Sequence, residues 1–145
     1  MDMFDSILVV CVGNICRSPT AERLLQNSLP ERKISSAGLA AVVGHGADAT
    51  ALLVAKSNGL SLDGHHARQL TRELCREQSL ILVMEKSHIE AVTRLAPEVR
   101  GKTMLFAHWL EQRDIPDPYG KSQEAFEFVY RLLAESAQAW AKALN

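Results

Sequence analysis

Residues 7–19 read Ile-Leu-Val-Val-Cys-Val-Gly-Asn-Ile-Cys-Arg-Ser-Pro, and this stretch decides the fold. The run from Ile7 to Val10 is short, continuous and apolar, which is typical of a strand buried on both faces of a parallel sheet. Turn-forming residues follow it, and Ser18 and Pro19 then predict a helix start with Ser18 as the capping residue. The stretch therefore predicts a strand, a tight loop and a helix.

The rest of the chain alternates short apolar runs with stretches of helical spacing. The expected strands cover 33–37, 79–84 and 103–106, and the expected helices cover 47–58, 71–77, a segment ending before Pro97, and 126–144. This alternation favours one α/β domain over 1–145, with a four-stranded parallel sheet and helices on both faces. In such folds ligands bind at the carboxyl ends of the strands, where the loop after the first strand lies. In the expected helix over 47–58, Leu52 and Leu53 are predicted to lie near the core. Apolar neighbours predict that Trp109 and Trp140 are core or helix-packing residues.

The composition narrows the possible functions. The chain has 145 residues, with 16 Lys and Arg against 17 Asp and Glu, for a net charge of -1. A protein that binds nucleic acid through its phosphates normally carries a basic excess, so no nucleic-acid partner is expected. The longest apolar run near the N-terminus is too short to cross a bilayer and lacks signal-peptide features, so no membrane insertion is expected. Three cysteines favour a reducing compartment, and we expect a cytoplasmic protein.

The loop after the first strand has the residue types that a phosphate site needs. Backbone N–H groups that curl into a helix start form an anion nest, Gly13 permits a tight turn, and the Arg17 guanidinium can hold two phosphate oxygens. The same positive surroundings would lower the thiol pKa of Cys11 from its usual value of about 8.5 and make it a thiolate, a nucleophile for phosphorus. Ser18 could donate a hydrogen bond to that sulfur.

Two simpler interpretations of the loop are less consistent with its residues. Cys11 could be a small apolar core residue at an ordinary strand-to-helix turn. An arginine, a glycine, a hydroxyl and a helix start would then surround it by coincidence. No Gly-Lys-Ser or Gly-Lys-Thr follows Gly13, so the loop is not a Walker A nucleotide site.

Residues 11–22 closely resemble the signature of the low-molecular-weight protein tyrosine phosphatases. Ser-Ser-Ala-Gly at 35–38 and Asp-Pro-Tyr at 117–119 match later motifs of that family in the same order, and the resemblance extends from Ile7 to about Leu144. It is closest to the bacterial members encoded with exopolysaccharide or capsule machinery. The resemblance implies hydrolysis of protein phosphotyrosine through a cysteinyl-phosphate intermediate, without a cofactor, and a membrane-associated tyrosine autokinase as substrate. We expect a monomer or a weak dimer.

The resemblance also assigns roles to the residues of the loop. Cys11 is the nucleophile and Arg17 holds the phosphate. The remaining loop residues bind the phosphate or support the sulfur; they are Val12, Gly13, Asn14, Ile15, Cys16 and Ser18. Asn14 is expected to brace the loop through Ser36 and His65. In the family, the second cysteine of the loop can form a protective disulfide with the nucleophile under oxidation.

Asp117 is the expected general acid. Release of a tyrosine phenolate, whose pKa is about 10, needs a proton donor at neutral pH, and Pro116 and Pro118 stiffen the loop that carries Asp117. On its neighbours alone, Asp117 could equally be a turn aspartate that caps its own backbone. The resemblance favours the acid, which would later deprotonate the attacking water, and leaves Asp114 as a solvated loop charge.

Two further predictions concern the pocket mouth and metals. Tyr119 and Leu39 are expected to line the mouth, where they could sandwich a phenyl ring. His45, His66, His88 and His108 match no pattern, and the histidines and cysteines lack the spacing of a metal site, so no metal is expected.

Two rival functions conflict with the sequence. Thioredoxin-coupled arsenate reductases share this loop but need a further cysteine pair downstream, whereas only Cys75 follows Cys16 in this chain. A phosphotyrosine-binding module without activity would be expected to lack the nucleophile or the acid, and both residue types are present.

Overall fold

Four strands and five α-helices make up the protein, which the computed structural model describes over residues 4–145. The strands are β1 (Ser6–Cys11), β2 (Lys33–Gly38), β3 (Leu80–Val83) and β4 (Thr103–Leu105). The helices are α1 (Arg17–Ser28), α2 (Ala49–Ser57), α3 (Arg72–Glu77), α4 (Lys86–Leu95) and α5 (Gln123–Leu144), with a 3₁₀ helix over Pro97–Lys102. All strand pairs are parallel, in the order β2-β1-β3-β4. The predicted four-stranded parallel sheet is confirmed.

Each face of the sheet has its own apolar core. On β1, Ile7 and Val9 belong to the core formed with α1 and α5, whereas Leu8 and Val10 belong to the core formed with α3, α4 and the 3₁₀ helix. All four side chains are fully buried. Because helices cover both faces, as predicted, β1 is apolar at successive positions and does not alternate.

The helix α2 lies against α5 and contributes to a third core. Its buried residues are Ala51, Val54 and Ala55, which recur at three- and four-residue steps and therefore share one face. Leu53 lies opposite that face and is 54% exposed, so its predicted burial is wrong, while Leu52 is half-buried. Apolarity alone did not indicate which leucine faces the core.

The two tryptophans differ in burial. Trp140 on α5 is buried, and its indole N–H donates to the carbonyl oxygen of Phe106 at 2.8 Å. Trp109 follows β4 in a turn and is 50% exposed, so it is not a core residue, but its contact with Trp140 of α5 agrees with the alternative prediction of a helix-packing residue. Its ring meets the Trp140 ring edge-on at a centroid distance of 5.5 Å and the His108 ring at 4.7 Å, and both contacts contribute to its partial burial.

The length and polarity of the helices bear on membrane insertion. Over residues 4–145, no helix is both long and apolar enough to cross a membrane.

Candidate active site

The loop between β1 and α1 places Cys11 and Arg17 at the carboxyl edge of the sheet. Cys11 is the last residue of β1 and Arg17 the first of α1, and both are almost fully buried. Between them, Asn14 adopts a left-handed backbone conformation with φ 58, which asparagine tolerates better than most residues. The predicted succession of strand, loop and helix is confirmed.

Ser18 contacts the sulfur of Cys11, as predicted. The prediction that Ser18 also caps the helix is wrong. The helix α1 begins at Arg17, follows Cys16 without a side-chain cap, and has Ser18 as its second residue. The Ser18 hydroxyl oxygen lies 2.9 Å from Cys11 Sγ and accepts a hydrogen bond from Asn14 Nδ2 at 2.8 Å. Since the asparagine supplies that hydrogen, the hydroxyl hydrogen of Ser18 is available to the sulfur.

Asn14 connects the loop to two neighbouring segments. Its Nδ2 also donates to Ser36 Oγ at 3.0 Å, and its Oδ1 accepts from the backbone N–H of Arg68 at 2.9 Å. Its carbonyl oxygen lies 2.6 Å from His65 Nε2. Asn14, Ser36 and His65 are all buried. The structure thus brings together the three residues that were expected to brace the loop.

The Arg17 guanidinium is held by Glu85, a residue that sequence analysis missed. Arg17 Nη1 donates to Glu85 Oε2 at 2.6 Å and to the carbonyl oxygen of Ile115 at 2.8 Å, and its Nη2 lies 3.7 Å from Asp117 Oδ2. Glu85 comes shortly after β3, at the same sheet edge as the loop. A charged residue directly after a buried central strand is the sequence signal that could have identified it.

The loop that carries Asp117 is fixed at two points. The backbone N–H of buried Ile115 donates to the carbonyl oxygen of Met84 at 2.9 Å. Asp114 Oδ1 accepts from the backbone N–H of Lys86, the first residue of α4, at 2.8 Å. Asp114 is an exposed loop charge, as predicted, and it also bonds an N–H in the first turn of that helix, a contact that the sequence did not predict. Asp117 itself stays about half-exposed over the site.

A cavity of about 240 Å³ opens above the sulfur of Cys11. It is lined by Cys11, Val12, Gly13, Ile15, Cys16, Arg17, Ala40, Val42, Asp117 and Tyr119. Tyr119 lines it as predicted, but Leu39 does not. The Leu39 side chain instead packs against the core that contains Leu8 and Val10. Ala40 and Val42 take its place, because the chain turns directly after β2 ends at Gly38.

The three cysteines have different surroundings. Burial raises the thiol pKa of Cys16, as do the negative charges of Asp48, Cys11 and Asp117, while Arg17 opposes the increase. Cys16 therefore remains a neutral thiol at physiological pH. Cys75 is buried within the core under α3, where burial also raises its thiol pKa.

Over residues 4–145, no three side chains of His, Cys, Asp or Glu are grouped closely enough to hold a metal ion.

His88 is buried next to the Arg17–Glu85 pair, and its protonation is unfavourable. Burial lowers its pKa below 6.5, and Arg17 lowers it further, whereas Glu85, Asp114 and Asp117 raise it. Its Nε2 lies 3.6 Å from Glu85 Oε2, and its buried Nδ1 has no hydrogen-bond partner. His88 is therefore neutral in the folded protein at physiological pH.

We expect the folded state to lose stability on acidification through His88. At about pH 7.5 the imidazole is largely neutral in both the folded and the unfolded state. As the pH falls, the unfolded chain takes up a proton that the folded chain resists, so the free energy of unfolding decreases. Urea unfolding at about pH 7.5 and about pH 5.5 measures this decrease, which should be smaller in His88→Asn than in the wild type. The exposed His66 provides the control, because His66→Asn should retain the full decrease. An unchanged decrease in His88→Asn would contradict the expectation.

Comparison with known proteins decides the family. The family model for low molecular weight phosphotyrosine protein phosphatases matches residues 6–145. The chain belongs to this family. The low molecular weight protein-tyrosine-phosphatase Wzb of Escherichia coli (strain K12) is 64% identical over 143 residues, which cover 99% of this chain and 97% of that protein. The phosphatase family and the enzyme class predicted from the sequence are confirmed.

Solved structures of phosphatases from this family share the fold. The crystal structure of the tyrosine phosphatase Wzb from Escherichia coli K30, in complex with sulphate, is 56% identical with a TM-score of 0.97, covering 98% of this chain and 99% of that one. Wzb of Vibrio vulnificus, in complex with benzylphosphonate, is 58% identical with a TM-score of 0.95, covering 97% of this chain and 99% of that one. These similarities confirm the predicted fold class.

Proposed function

We propose that this phosphatase hydrolyses phosphotyrosine in proteins through a cysteinyl-phosphate intermediate. The observation that carries the proposal is the position of Cys11 Sγ, 2.9 Å from the Ser18 hydroxyl at the base of a cavity that Arg17 and Asp117 also line. This cavity combines a nucleophile, a cation and an acid, the three groups that cleavage of a phosphate ester of a phenol requires.

The phosphate is bound first. The backbone N–H groups of 12–17 form the anion nest, and α1 begins within it, so that its positive end adds to the attraction. Arg17 contributes a permanent charge, and its bonds to Glu85 and to the Ile115 carbonyl fix the plane of the guanidinium. The fixed guanidinium stabilises the equatorial oxygens as charge develops on them in the transition state.

The chemical steps follow from the positions of Cys11 and Asp117. The Cys11 thiolate attacks phosphorus while the phenolic oxygen leaves and takes a proton from Asp117. Asp117, now ionised, removes a proton from the water that attacks the phosphocysteine. Inorganic phosphate and the thiolate are then released. Ser18 donates its hydroxyl hydrogen to the sulfur, which stabilises the thiolate both as nucleophile and as leaving group.

An aromatic ring fits the mouth of the cavity. Tyr119 is 61% exposed, and Val42 is 39% exposed, so apolar surface is open to solvent next to Ala40. These side chains can cover the faces of a phenyl ring whose phosphate reaches the loop. The benzylphosphonate in the related phosphatase of Vibrio vulnificus likewise joins a phenyl ring to a phosphonate.

The proposed protein substrate is an autophosphorylating bacterial tyrosine kinase of the membrane that controls exopolysaccharide or capsule production, with the phosphatase acting from the cytoplasm. Support comes from the resemblance to bacterial family members encoded with that machinery and from the high identity to Wzb of Escherichia coli. The free, buried state of Cys11, Cys16 and Cys75 is consistent with a reducing compartment.

The proposal is tested with one peptide sequence synthesised with phosphotyrosine, phosphoserine or phosphothreonine. We expect release of phosphate from the phosphotyrosine form at least about 100-fold faster, because the short aliphatic side chains of the others do not carry the phosphate past the apolar mouth to Cys11 and lack the ring that it covers. Comparable rates on all three peptides would contradict the phosphotyrosine specificity. At the protein level, the same assay uses a tyrosine autokinase that has phosphorylated its own tyrosines.

A further inference from the structure

Residues 39–42 form one wall of the active-site cavity, here called the wall segment. Its Ala40 and Val42 line the cavity. Three of its four backbone N–H groups bond the phosphate loop: those of Leu39, Ala40 and Val42 donate to the carbonyl oxygens of Cys11, Val12 and Gly13 at 2.9, 2.9 and 3.1 Å. The wall segment is therefore attached to the loop along its inner side.

The side chain of Gln69 bonds the wall segment from its other side. Gln69 Oε1 accepts from the backbone N–H of Ala41 at 2.9 Å, the N–H of the segment that does not bond the loop. Gln69 Nε2 donates to the carbonyl oxygen of Leu39 at 2.8 Å. The two hydrogen bonds of this one side-chain amide thus span the turn that carries Ala40.

The backbone of Gln69 is itself anchored to the end of β2. Gly38 and Gln69 form a parallel bridge, in which the Gly38 N–H donates to the Arg68 carbonyl at 2.9 Å and the Leu70 N–H donates to the Gly38 carbonyl at 2.8 Å. Glycine at position 38 also allows the phosphate loop to approach the end of β2, because a Cβ there would lie 2.5 Å from the carbonyl oxygen of Val12. The Gln69 amide therefore projects from a fixed support.

We propose that Gln69 is a specificity-determining positioning residue, which holds the wall segment at the distance that an aromatic ring requires. The proposal deepens the proposed function, on which it rests. Gln69 lies outside the cavity, so it acts through Ala40 and Val42 and not by contact with the substrate. The loop and Arg17 bind the phosphate directly, whereas Gln69 bonds only the wall segment, so loss of Gln69 should weaken binding of the ring more than binding of the phosphate.

The test compares a ligand that carries a phenyl ring with one that carries none. Inorganic phosphate and benzylphosphonate are titrated calorimetrically into the wild type, Gln69→Leu and Gln138→Leu. Leucine removes both hydrogen bonds at similar side-chain size, and we expect benzylphosphonate to bind about fivefold more weakly to Gln69→Leu while phosphate affinity changes by less than about twofold. The exposed Gln138 on α5 is the matched control and should leave both affinities unchanged.

Each other outcome overturns the positioning role. Equal weakening of both ligands would mean that Gln69 braces the phosphate loop, and unchanged affinities would mean that the wall segment is held without it. Because the titrations require no turnover, they are independent of the peptide assay, in which failure of the wild type would count against the proposed function instead.

Gln69→Glu gives a second measurement, in which the affinity for benzylphosphonate relative to the wild type should change with pH and the relative affinity for inorganic phosphate should not. An ionised glutamate can accept from Ala41 but cannot donate to Leu39, whereas a protonated one can do both, as glutamine does. The benzylphosphonate affinity of Gln69→Glu, relative to the wild type at the same pH, should therefore recover on acidification through the pKa of the new carboxyl, about 4.3 when unperturbed. A ratio that is constant with pH would contradict the proposal, and this variant also serves if Gln69→Leu does not fold.

Discussion

Cys11→Ser is expected to abolish hydrolysis of aryl phosphates while the protein still binds phosphate. A serine hydroxyl is not ionised at neutral pH, so the nucleophile is lost, whereas the loop amides and Arg17 remain in place. Loss of a nucleophile from a cooperating catalytic group typically reduces kcat by about 10⁴-fold or more. Phosphate affinity should be equal or higher, because a negative sulfur no longer faces the anion. Steady-state rates on an aryl phosphate and calorimetric titration with phosphate measure the two quantities.

The control for this variant is Cys75→Ser. Cys75 is also fully buried, but it lies in the core under α3 and outside the cavity. Its substitution should reduce stability, because it places a hydroxyl in an apolar core, and retain kcat in the folded fraction. Residual turnover by Cys11→Ser within about tenfold of the wild type would exclude Cys11 as the nucleophile.

The fold could be predicted from the sequence because its signals are local. The run Ile7–Val10 is apolar at successive positions, and the structure makes it the centre of a strand covered on both faces. The predicted second strand, 33–37, ends one residue before β2 does. The loop motif is equally local, since Cys11 and Arg17 are joined by only five residues that must turn between a strand end and a helix start.

Residues of the site that depend on long-range contacts could not be predicted in the same way. Glu85 is 68 positions from Arg17 in the sequence, and only the pairing of β1 with β3 brings the two together. Leu39 and Ala40 are adjacent, and the turn after β2 decides which of them faces the cavity. Ser18 is a strong capping residue by type, yet its contact with Cys11 Sγ takes precedence.

Asp117→Asn is expected to slow hydrolysis according to the quality of the leaving group. Phosphotyrosine releases a phenolate with a pKa of about 10, and loss of the proton donor should lower kcat about 10²- to 10⁴-fold. A nitrophenyl phosphate releases a far more stable anion, so its cleavage needs the proton much less and should slow far less. Asparagine keeps the size of the side chain but removes its charge 3.7 Å from Arg17 Nη2, so phosphate binding should not weaken. Rates on a series of substituted phenyl phosphates give the dependence directly.

Asp114→Asn is the matched control for this series, because it changes a carboxylate three residues earlier in the same loop. An asparagine at 114 still has an oxygen that can accept from the Lys86 N–H, so the loop should stay in place and the rates on all substrates should be retained. If Asp117→Asn slowed good and poor leaving groups equally, the carboxyl would be acting on the second step or on Arg17 and not as the acid. A steeper dependence on leaving-group pKa in Asp117→Asn than in the wild type separates these roles, since only proton donation to the departing oxygen cancels the negative charge that a poor leaving group cannot carry.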